Sequence, residues 1–528
     1  MTFNVLISDP LSEEGILPLR LADNVKVVIE TGLSEEDLEE RITEFDALLV
    51  RSGTQVTRSI INKGKNLKII GRAGVGVDNI DLNAATEHGI IVVNAPNGNT
   101  NSAAEHTMAM LMALSRNIPQ AYLSLKEHRW DRKKFVGVEL RDKTLGIVGL
   151  GRIGTEVATR AKGQRMNIIA YDPFFTKEKA DKMGIGYGTF EEVIQQADFI
   201  TVHTPLLKET RHLIDAKAFG RMKDGVFIVN CARGGIIDED ALYEAIVSGK
   251  VAGAALDVFE EEPFMDHKLL ELPEVVATPH LGASTVEAQE IVAVDVCKDV
   301  LRHLNGESVI NPVNLPSLPK DIMKKVEPYF YLAEKLGAFL IDLVSEVAEE
   351  INVSFAGELY DIEVAPITRN TIKGILKRHL GMHVNDVNAL YLAEKKEIVV
   401  NEQKTPQAKG FTNLITVEIK TKSQIRKVAG TLLNGLGPRI VHVDNYRVDV
   451  RPEGHMVVIE HIDQPGVIGR MGSLLGKHDI NIATMQVDRS DRGGKAIMIL
   501  TIDRHLDEAA LNELLQLDEI KDVVAIDL

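Results

Sequence analysis

The chain has 528 residues, a formal net charge of −17 and two cysteines. That length exceeds a single hydrophobic core and suggests about three or four domains, while the acidic balance excludes a general binder of nucleic acid or anionic membrane, which needs clustered Lys and Arg. Cys231 and Cys297 form neither a disulfide framework nor a zinc-ligand spacing, and no signal-peptide pattern or membrane-length apolar run is found, so a cytoplasmic protein without a metal is expected.

From the N-terminus, short apolar runs at residues 4–8, 25–29, 47–50, 68–71 and 90–94 alternate with helical patterns. One such pattern opens at Ser34, a capping residue, followed by the acidic first turn Glu35-Glu36-Asp37. The alternation predicts a parallel sheet flanked by helices. Two of its strands end in arginine-bearing loops, Arg51-Ser52-Gly53-Thr54 and Arg72-Ala73-Gly74-Val75-Gly76. Ligands of open α/β sheets collect at the carboxyl ends of strands, so these arginines and glycine amides form a candidate anion site. Two surface cations paired with nearby acids would read the same way.

A loop of turn formers at residues 97–102 and an apolar helix at 103–114 place the first domain boundary near residue 98. The most basic local run, residues 126–134, carries Trp130, the only tryptophan, beside Arg132 and Lys133. It reads either as a solvated loop or as an interface segment, because tryptophan among cations suits a pocket on a partner.

The run Leu145-Gly-Ile-Val-Gly149-Leu-Gly151-Arg152-Ile153-Gly154 is a buried strand turning sharply into a helix, and a second strand ends in Asp172. Three glycines at this spacing permit the turn, the approach of a pyrophosphate and the packing of helix on strand. An acid roughly twenty residues downstream suits an adenosine ribose. Further strands at 199–203, 226–230, 252–256 and 275–277 bring the count from Leu145 to six, a doubly wound dinucleotide domain. Three polar groups follow at strand ends: Arg233 in Asn230-Cys-Ala-Arg-Gly-Gly, Glu262 in Glu260-Glu-Glu-Pro263, and His280 in Thr278-Pro-His-Leu-Gly282. Oxidation of an alcohol carbon needs a base for the hydroxyl proton, a task that His280 suits, and a cation for an adjoining carboxylate, a task that Arg233 suits, although a histidine taken singly is more often structural.

After a helical stretch at 284–304, the proline-bearing segment 311–320 reads as a linker. Beyond it, a helix at 324–350, strands at 351–355 and 360–364, a helix at 371–380, and strands at 414–420 and 441–450 describe an α+β domain. From about Pro452 the order β-α-β-β-α-β is the ferredoxin-like pattern.

The ordered motifs Gly149-Leu-Gly-Arg-Ile-Gly154, Tyr171-Asp-Pro, His203-Thr-Pro-Leu, Asn230-Cys-Ala-Arg-Gly-Gly, Asp257-Val-Phe-Glu-Glu-Glu-Pro and Pro279-His-Leu-Gly-Ala resemble the D-2-hydroxyacid dehydrogenases over roughly residues 1–310. With Gly71-Arg-Ala-Gly-Val-Gly-Val-Asp-Asn79 and the C-terminal extension, the likeness is to long-form members acting on 3-phospho-D-glycerate, the first step of L-serine synthesis. The resemblance implies two doubly wound domains, a flavodoxin-like substrate domain of residues 1–98 and 285–312 and a Rossmann domain of 99–284. An α+β intervening domain (318–450) and a ferredoxin-like ACT domain (455–528) follow.

It implies Arg233, Glu262 and His280 as the catalytic trio. NAD would lie on Gly149, Gly151, Arg152, Ile153, Gly154 and Asp172, with Thr204, Cys231, Ala232, Asp257, His280, Gly282 and Ala283 around the nicotinamide. Substrate would meet Arg51, Ser52, Gly53, Arg72, Gly74 and Val75, with Trp130, Arg132 and Lys133 reaching in from a second subunit of a homotetramer, a dimer of dimers. The terminal segment resembles an ACT domain, with His461, Asp463 and Asn481 as expected contacts for L-serine. Rival readings are a D-2-hydroxyacid dehydrogenase for hydroxypyruvate or 2-oxoglutarate, and an NADH-sensing corepressor-like protein.

Overall fold

A computed structural model describes residues 2–263, 265–316, 318–408 and 410–528. The first sheet consists of β1 (Phe3–Ile7), β2 (Val25–Ile29), β3 (Ala47–Val50), β4 (Ile69–Arg72) and β5 (Ile91–Asn94), all parallel in the order β2-β1-β3-β4-β5. Strands β3 to β5 are nearly unbroken apolar runs because helices cover both faces of a parallel sheet. One cover is supplied from far along the chain. Helix Val286–Leu304 places Val292, Val296, Val300 and Leu304 in the core with Val5, Ile7, Leu49, Ile69 and Val93. A Cβ on Gly71 would lie 2.5 Å from Val296, so glycine there lets helix and strand close up.

The second sheet runs β6 (Thr144–Val148), β7 (Asn167–Tyr171), β8 (Gly186–Tyr187), β9 (Phe199–Val202), β10 (Val226–Asn230), β11 (Val251–Leu256) and β12 (Val275–Ala277). Its order, β12-β11-β10-β9-β6-β7-β8, reverses direction between β6 and β9, the switch point of a dinucleotide fold. It has seven strands where periodicity predicts six; β8 is two residues long, too short to carry a pattern. The two crossings between these domains meet, Ser102 Oγ lying 2.7 Å from Thr285 Oγ1.

The segment predicted as a linker is partly docked. Val313 N donates to Val92 O at 2.7 Å, and Asn314 Oδ1 accepts from Val92 N at 2.9 Å, so residues 312–314 line β5. Ser317 of that segment lies outside the described residues.

The third sheet contains β13 (Glu350–Gly357), β14 (Val399–Thr405), β15 (Asn413–Lys420), β16 (Ile425–Leu433), β17 (Gly437–Val443) and β18 (Tyr446–Val450), ordered β14-β13-β15-β16-β17-β18. Helices Pro328–Asp342 and Ala365–Leu380 contribute Leu336, Phe339, Leu340, Ile372 and Ile375 to its core. Residues 360–364, predicted as a strand, instead leave the 3-10 turn Glu358–Asp361. The run predicted as one strand at 441–450 is a hairpin of β17 and β18 turning at Asp444 and Asn445.

The last unit is β19 (His455–Ile462), helix Val467–Lys477, β20 (Ile482–Arg489), β21 (Lys495–Ile502), helix Glu508–Leu515 and β22 (Ile520–Asp527). The antiparallel order β20-β21-β19-β22 completes the expected ferredoxin-like layout. Among the described residues, no helix is long and apolar enough to cross a membrane.

Candidate active site

The nucleotide loop lies at the end of β6, where each glycine answers to a different constraint. Gly149 has φ +96°, and a Cβ there would meet the His203 backbone at 2.7 Å. A Cβ on Gly154 would collide with the Gly149 carbonyl oxygen. On Gly151 it would meet nothing within 4 Å. Gly151 caps helix Arg152–Gly163 with no side-chain bond to the first amides, which leaves that helix end and the space before it for an anion. Two buried polar atoms beside the loop, Thr204 Oγ1 and His203 Nδ1, have no hydrogen-bond partner within the protein. Burial pushes the His203 imidazole down to about 4, so it faces the loop neutral. Arg152 donates to Pro96 O at 3.2 Å, while Ile153 packs against the domain core.

Asp172 is tied to the same loop. Its Oδ2 accepts from Leu150 N at 2.7 Å and its Oδ1 from Phe174 N at 2.8 Å. Each oxygen keeps a lone pair for a hydroxyl. Open helix terminus, partnerless Thr204 hydroxyl and oriented carboxylate together fit a dinucleotide.

Across the cleft, Asp9 at the end of β1 accepts from Arg51 N at 2.6 Å, Thr54 N at 3.1 Å and Thr54 Oγ1 at 3.0 Å. Asn79 donates to Arg51 O and Thr54 O at 2.7 and 2.6 Å. These two residues clamp the loop that carries Arg51, Ser52 and Gly53, the last two exposed. Arg72 is largely buried over Gly74, and its Nε finds no acceptor. Burial, with repulsion from Arg233 and Arg51, lowers its guanidinium to about 10. Val75 O is held by Asn94 Nδ2.

Arg233 joins the two domains. Its Nη1 donates to Ala232 O at 2.7 Å, and its Nε to Asp78 Oδ2 of the first domain at 3.2 Å. Asn230 accepts from Ala232 N and donates to Arg233 O, shaping the loop from within.

His280 has φ +55°, a left-handed turn stabilised by Asp257. Asp257 Oδ1 accepts from Thr278 Oγ1 at 2.6 Å and Leu281 N at 2.7 Å, and its Oδ2 from Gly282 N at 2.8 Å. His106 Nε2 lies 3.1 Å from the same Oδ1. Burial works against the Asp257 charge, yet the bonds from His106, Thr278 and Leu281 outweigh it and hold the carboxyl below its ordinary value.

Nδ1 of His280 lies 2.8 Å from Glu262 Oε2, while Phe259 N donates to Glu262 Oε1 at 3.1 Å. Burial raises the Glu262 carboxyl, but the His280 and Phe259 bonds prevail and it too lies low. Of the three successive glutamates, Glu260 pairs instead with Arg211 and His212. Cys231 is buried, and desolvation with the nearby Asp257 charge pushes its thiol up to about 12, far from the thiolate that a nucleophile needs. Ala283 follows Gly282 and is half-buried.

Other predicted contacts lie apart. Trp130 is 82% exposed on the surface run that ends in the 3-10 turn Arg132–Lys134, so within one chain it faces solvent. In the last unit, His461 is buried with a partnerless Nε2, and Asp463 accepts from Arg489 at 2.6 Å. Asn481 donates to Asp503 at 2.8 Å. The register of β21, Lys495 opposite Ile462 and Ile502 opposite both His455 and Ile482, places Asn481 at the other end of the sheet from Asp463. Seven residues of strand separate them, on the order of 20 Å.

The motifs contain Asp78 and His203 without assigning them a role, and they leave out Asp9 and His106. Asp9 had a signal, since it follows β1 at the carboxyl edge of the sheet. His106 sits on helix Thr100–Ser115, far in sequence from Asp257, and only tertiary folding unites them.

A phosphate-type loop on one domain, the half-buried Arg51 and Arg72 on the other and a His–Glu pair beside them define a dinucleotide-dependent dehydrogenase. Residues 108–282 match the NAD binding domain of the D-isomer specific 2-hydroxyacid dehydrogenases. Residues 325–444 match the D-3-phosphoglycerate dehydrogenase intervening domain, and residues 455–519 the ACT domain. The chain is 48% identical over 526 residues to D-3-phosphoglycerate dehydrogenase of Bacillus subtilis, covering 100% of both chains. It is 46% identical over 525 residues to that of Methanocaldococcus jannaschii, covering 99% of each. Among solved structures, D-lactate dehydrogenase from Aquifex aeolicus complexed with NAD and lactic acid matches with TM-score 0.53 and 28% identity, over 60% of this chain and 100% of that one. The chain belongs to the D-3-phosphoglycerate dehydrogenase family, within the D-isomer specific 2-hydroxyacid dehydrogenases, and its cofactor is NAD.

Proposed function

We propose that the enzyme oxidises 3-phospho-D-glycerate to 3-phosphohydroxypyruvate with NAD, opening the route to L-serine. The reading rests on one observation above all: Arg72, half-buried with a buried and partnerless Nε, lies near Arg233 and Arg51. Three guanidiniums near enough to feel one another's charge, with Asp78 and Asp9 as the acids beside Arg72, suit a substrate with two anionic groups.

His280, its Nδ1 engaged by Glu262, presents Nε2 to the hydroxyl and takes its proton. Glu262 stabilises the resulting imidazolium. Arg233 holds the carboxylate through its planar fork, and Arg51 and Arg72, with amides near Ser52, Gly53, Gly74 and Val75, receive the phosphate. Gly149, Gly151 and Gly154 with Arg152 and Ile153 seat the pyrophosphate, and Asp172 the ribose. Thr204, Cys231, Ala232, Asp257, Gly282 and Ala283 wall the nicotinamide. Bound there, NAD supplies the hydride acceptor.

Trp130, Arg132 and Lys133 complete the site of a second copy. Ile118, Tyr122, Leu123 and Leu125 are exposed on the preceding helix and form an apolar surface for that contact. L-Serine binds through His461 and Asp463 of one ACT domain and Asn481 of another, in a homotetramer. With both cysteines free, we place the protein in the cytoplasm.

NADH consumption with 3-phosphohydroxypyruvate, compared with hydroxypyruvate and with and without L-serine, is the test. Turnover should favour the phosphorylated acid strongly. Equal use of both would remove the arginine cluster from the phosphate role.

A further inference from the structure

Away from the cleft, three side chains from separate segments converge at one end of the last sheet. His455 begins β19, Asp527 ends β22 and His505 follows β21. The first two are fixed opposite each other by strand register. Nδ1 of His455 lies 2.7 Å from Asp527 Oδ1, and Nδ1 of His505 lies 2.9 Å from Asp527 Oδ2. The rings meet edge to face with centroids 6.3 Å apart.

A lone carboxylate needs one imidazole to make an Asp–His pair. Here two imidazoles turn the same nitrogen toward one carboxylate, and the ligand atoms of all three lie within 4.8 Å of one another. Among the described residues, this is the one such grouping of three or more potential ligands. Two nitrogens and one carboxylate oxygen are a donor set suited to zinc and its first-row neighbours. Tetrahedral coordination at 2.0–2.2 Å requires ligand atoms about 3.4 Å apart. Nitrogen and oxygen must separate by about half an ångström from their present contacts, a movement open to side chains that are all partly exposed.

We propose that His455, His505 and Asp527 form a site for a divalent transition ion of the zinc type, completed by solvent. The site joins the first strand of the ACT domain to its last, beside the connection to the intervening domain. There Gly454 and Leu528 exchange backbone bonds of 3.2 and 3.0 Å. Asp342, at the end of helix Pro328–Asp342 and paired with Arg378, lies close enough to feel the Asp527 charge. An ion at the three ligands therefore braces the joint across which an ACT signal must pass.

The full-length protein, stripped with a chelator and desalted, is titrated with Zn2+ by calorimetry and with Co2+ followed by visible absorption. One ion per chain should bind, with a cobalt spectrum typical of nitrogen and oxygen ligands. His505→Ala and Asp527→Asn should each weaken binding by about tenfold or more. His505 is exposed outside regular structure, so its replacement leaves the fold intact, which circular dichroism checks; turnover should not change. Absence of saturable binding overturns the site, as does a smaller loss of affinity in either variant.

Discussion

Nδ1 of His280 lies 2.8 Å from Oε2 of Glu262, which leaves Nε2 as the only ring nitrogen available to a substrate. Glu262→Gln keeps an acceptor but removes the charge that favours the imidazolium. Turnover should fall about tenfold to a hundredfold. The folded carboxyl lies below its ordinary 4.5, so its contacts stabilise the protein fully above that value and cease to as pH falls through the folded one. The difference in Tm between wild type and Glu262→Gln should therefore shrink on acidification. His280→Ala should lose about 10²–10⁴ in turnover yet bind NADH, as fluorescence titration would read. An active His280→Ala enzyme would remove the ring from the chemistry.

Arg72 pays for its burial with a lowered affinity for its own proton and with a partnerless Nε. A bound dianion relieves both. Inorganic phosphate should raise the Tm of the wild type and raise it much less in Arg72→Ala. The same variant should increase KM for the phosphorylated substrate more than it reduces kcat, because the phosphate is remote from the reacting carbon. Arg72→Lys should not restore it, since a point charge cannot reproduce a guanidinium fork. Equal phosphate stabilisation in both proteins would exclude Arg72 from the site.

The contact of Arg233 with Asp78 competes with any carboxylate that Arg233 is to hold. Asp78 is 73% exposed at its side chain, so the pair is weak, and its loss corresponds to about two- to fivefold in affinity. Asp78→Asn should lower KM by that factor with kcat little changed. A raised KM would make Asp78 a support for Arg233 and not its competitor.

The two α/β domains were legible because parallel strands buried on both faces are continuous apolar runs, as in Ala47–Val50 and Phe199–Val202. The third sheet was legible in part: strands expected at 351–355 and 414–420 are there, while Val399–Thr405 and Ile425–Leu433 were not expected. Val399–Thr405 ends in Asn-Glu-Gln-Lys-Thr, exposed along a sheet edge, and presents no buried face to read. Residues 360–364 carry strand-forming types but are bent by the turn Glu358–Asp361, whose Leu359 amide is fixed by Asn413. In the cleft, motifs located Arg233, Glu262 and His280, each local to a strand end. The support by Asp9 and His106 depends on contacts between distant segments, which no spacing encodes.

Asp172 orients the nucleotide loop through Leu150 N while offering lone pairs to a ribose. Asp172→Ala should raise KM for NAD and shift preference toward NADP, because the carboxylate that repels a 2′-phosphate is gone. An unchanged ratio of kcat/KM for the two cofactors would leave Asp172 with the loop-orienting role alone.

Asp463 and Asn481 lie at opposite ends of one sheet, so no single ACT domain brings them to one serine molecule. Two domains related by a two-fold axis can join the Asp463 end of one to the Asn481 end of the other. Chains bearing His461→Ala and chains bearing Asn481→Ala should each lose the response to L-serine. Mixed oligomers should regain part of it, since one of their two junctions is intact. Asp463 is paired with Arg489, a contact that serine binding at Asp463, as proposed, would have to displace. Arg489→Ala should therefore strengthen the response by about two- to fivefold, the range of an exposed ion pair. Failure of the mixed oligomers to respond, with both parents assembled normally, would place the effector site within one chain or elsewhere.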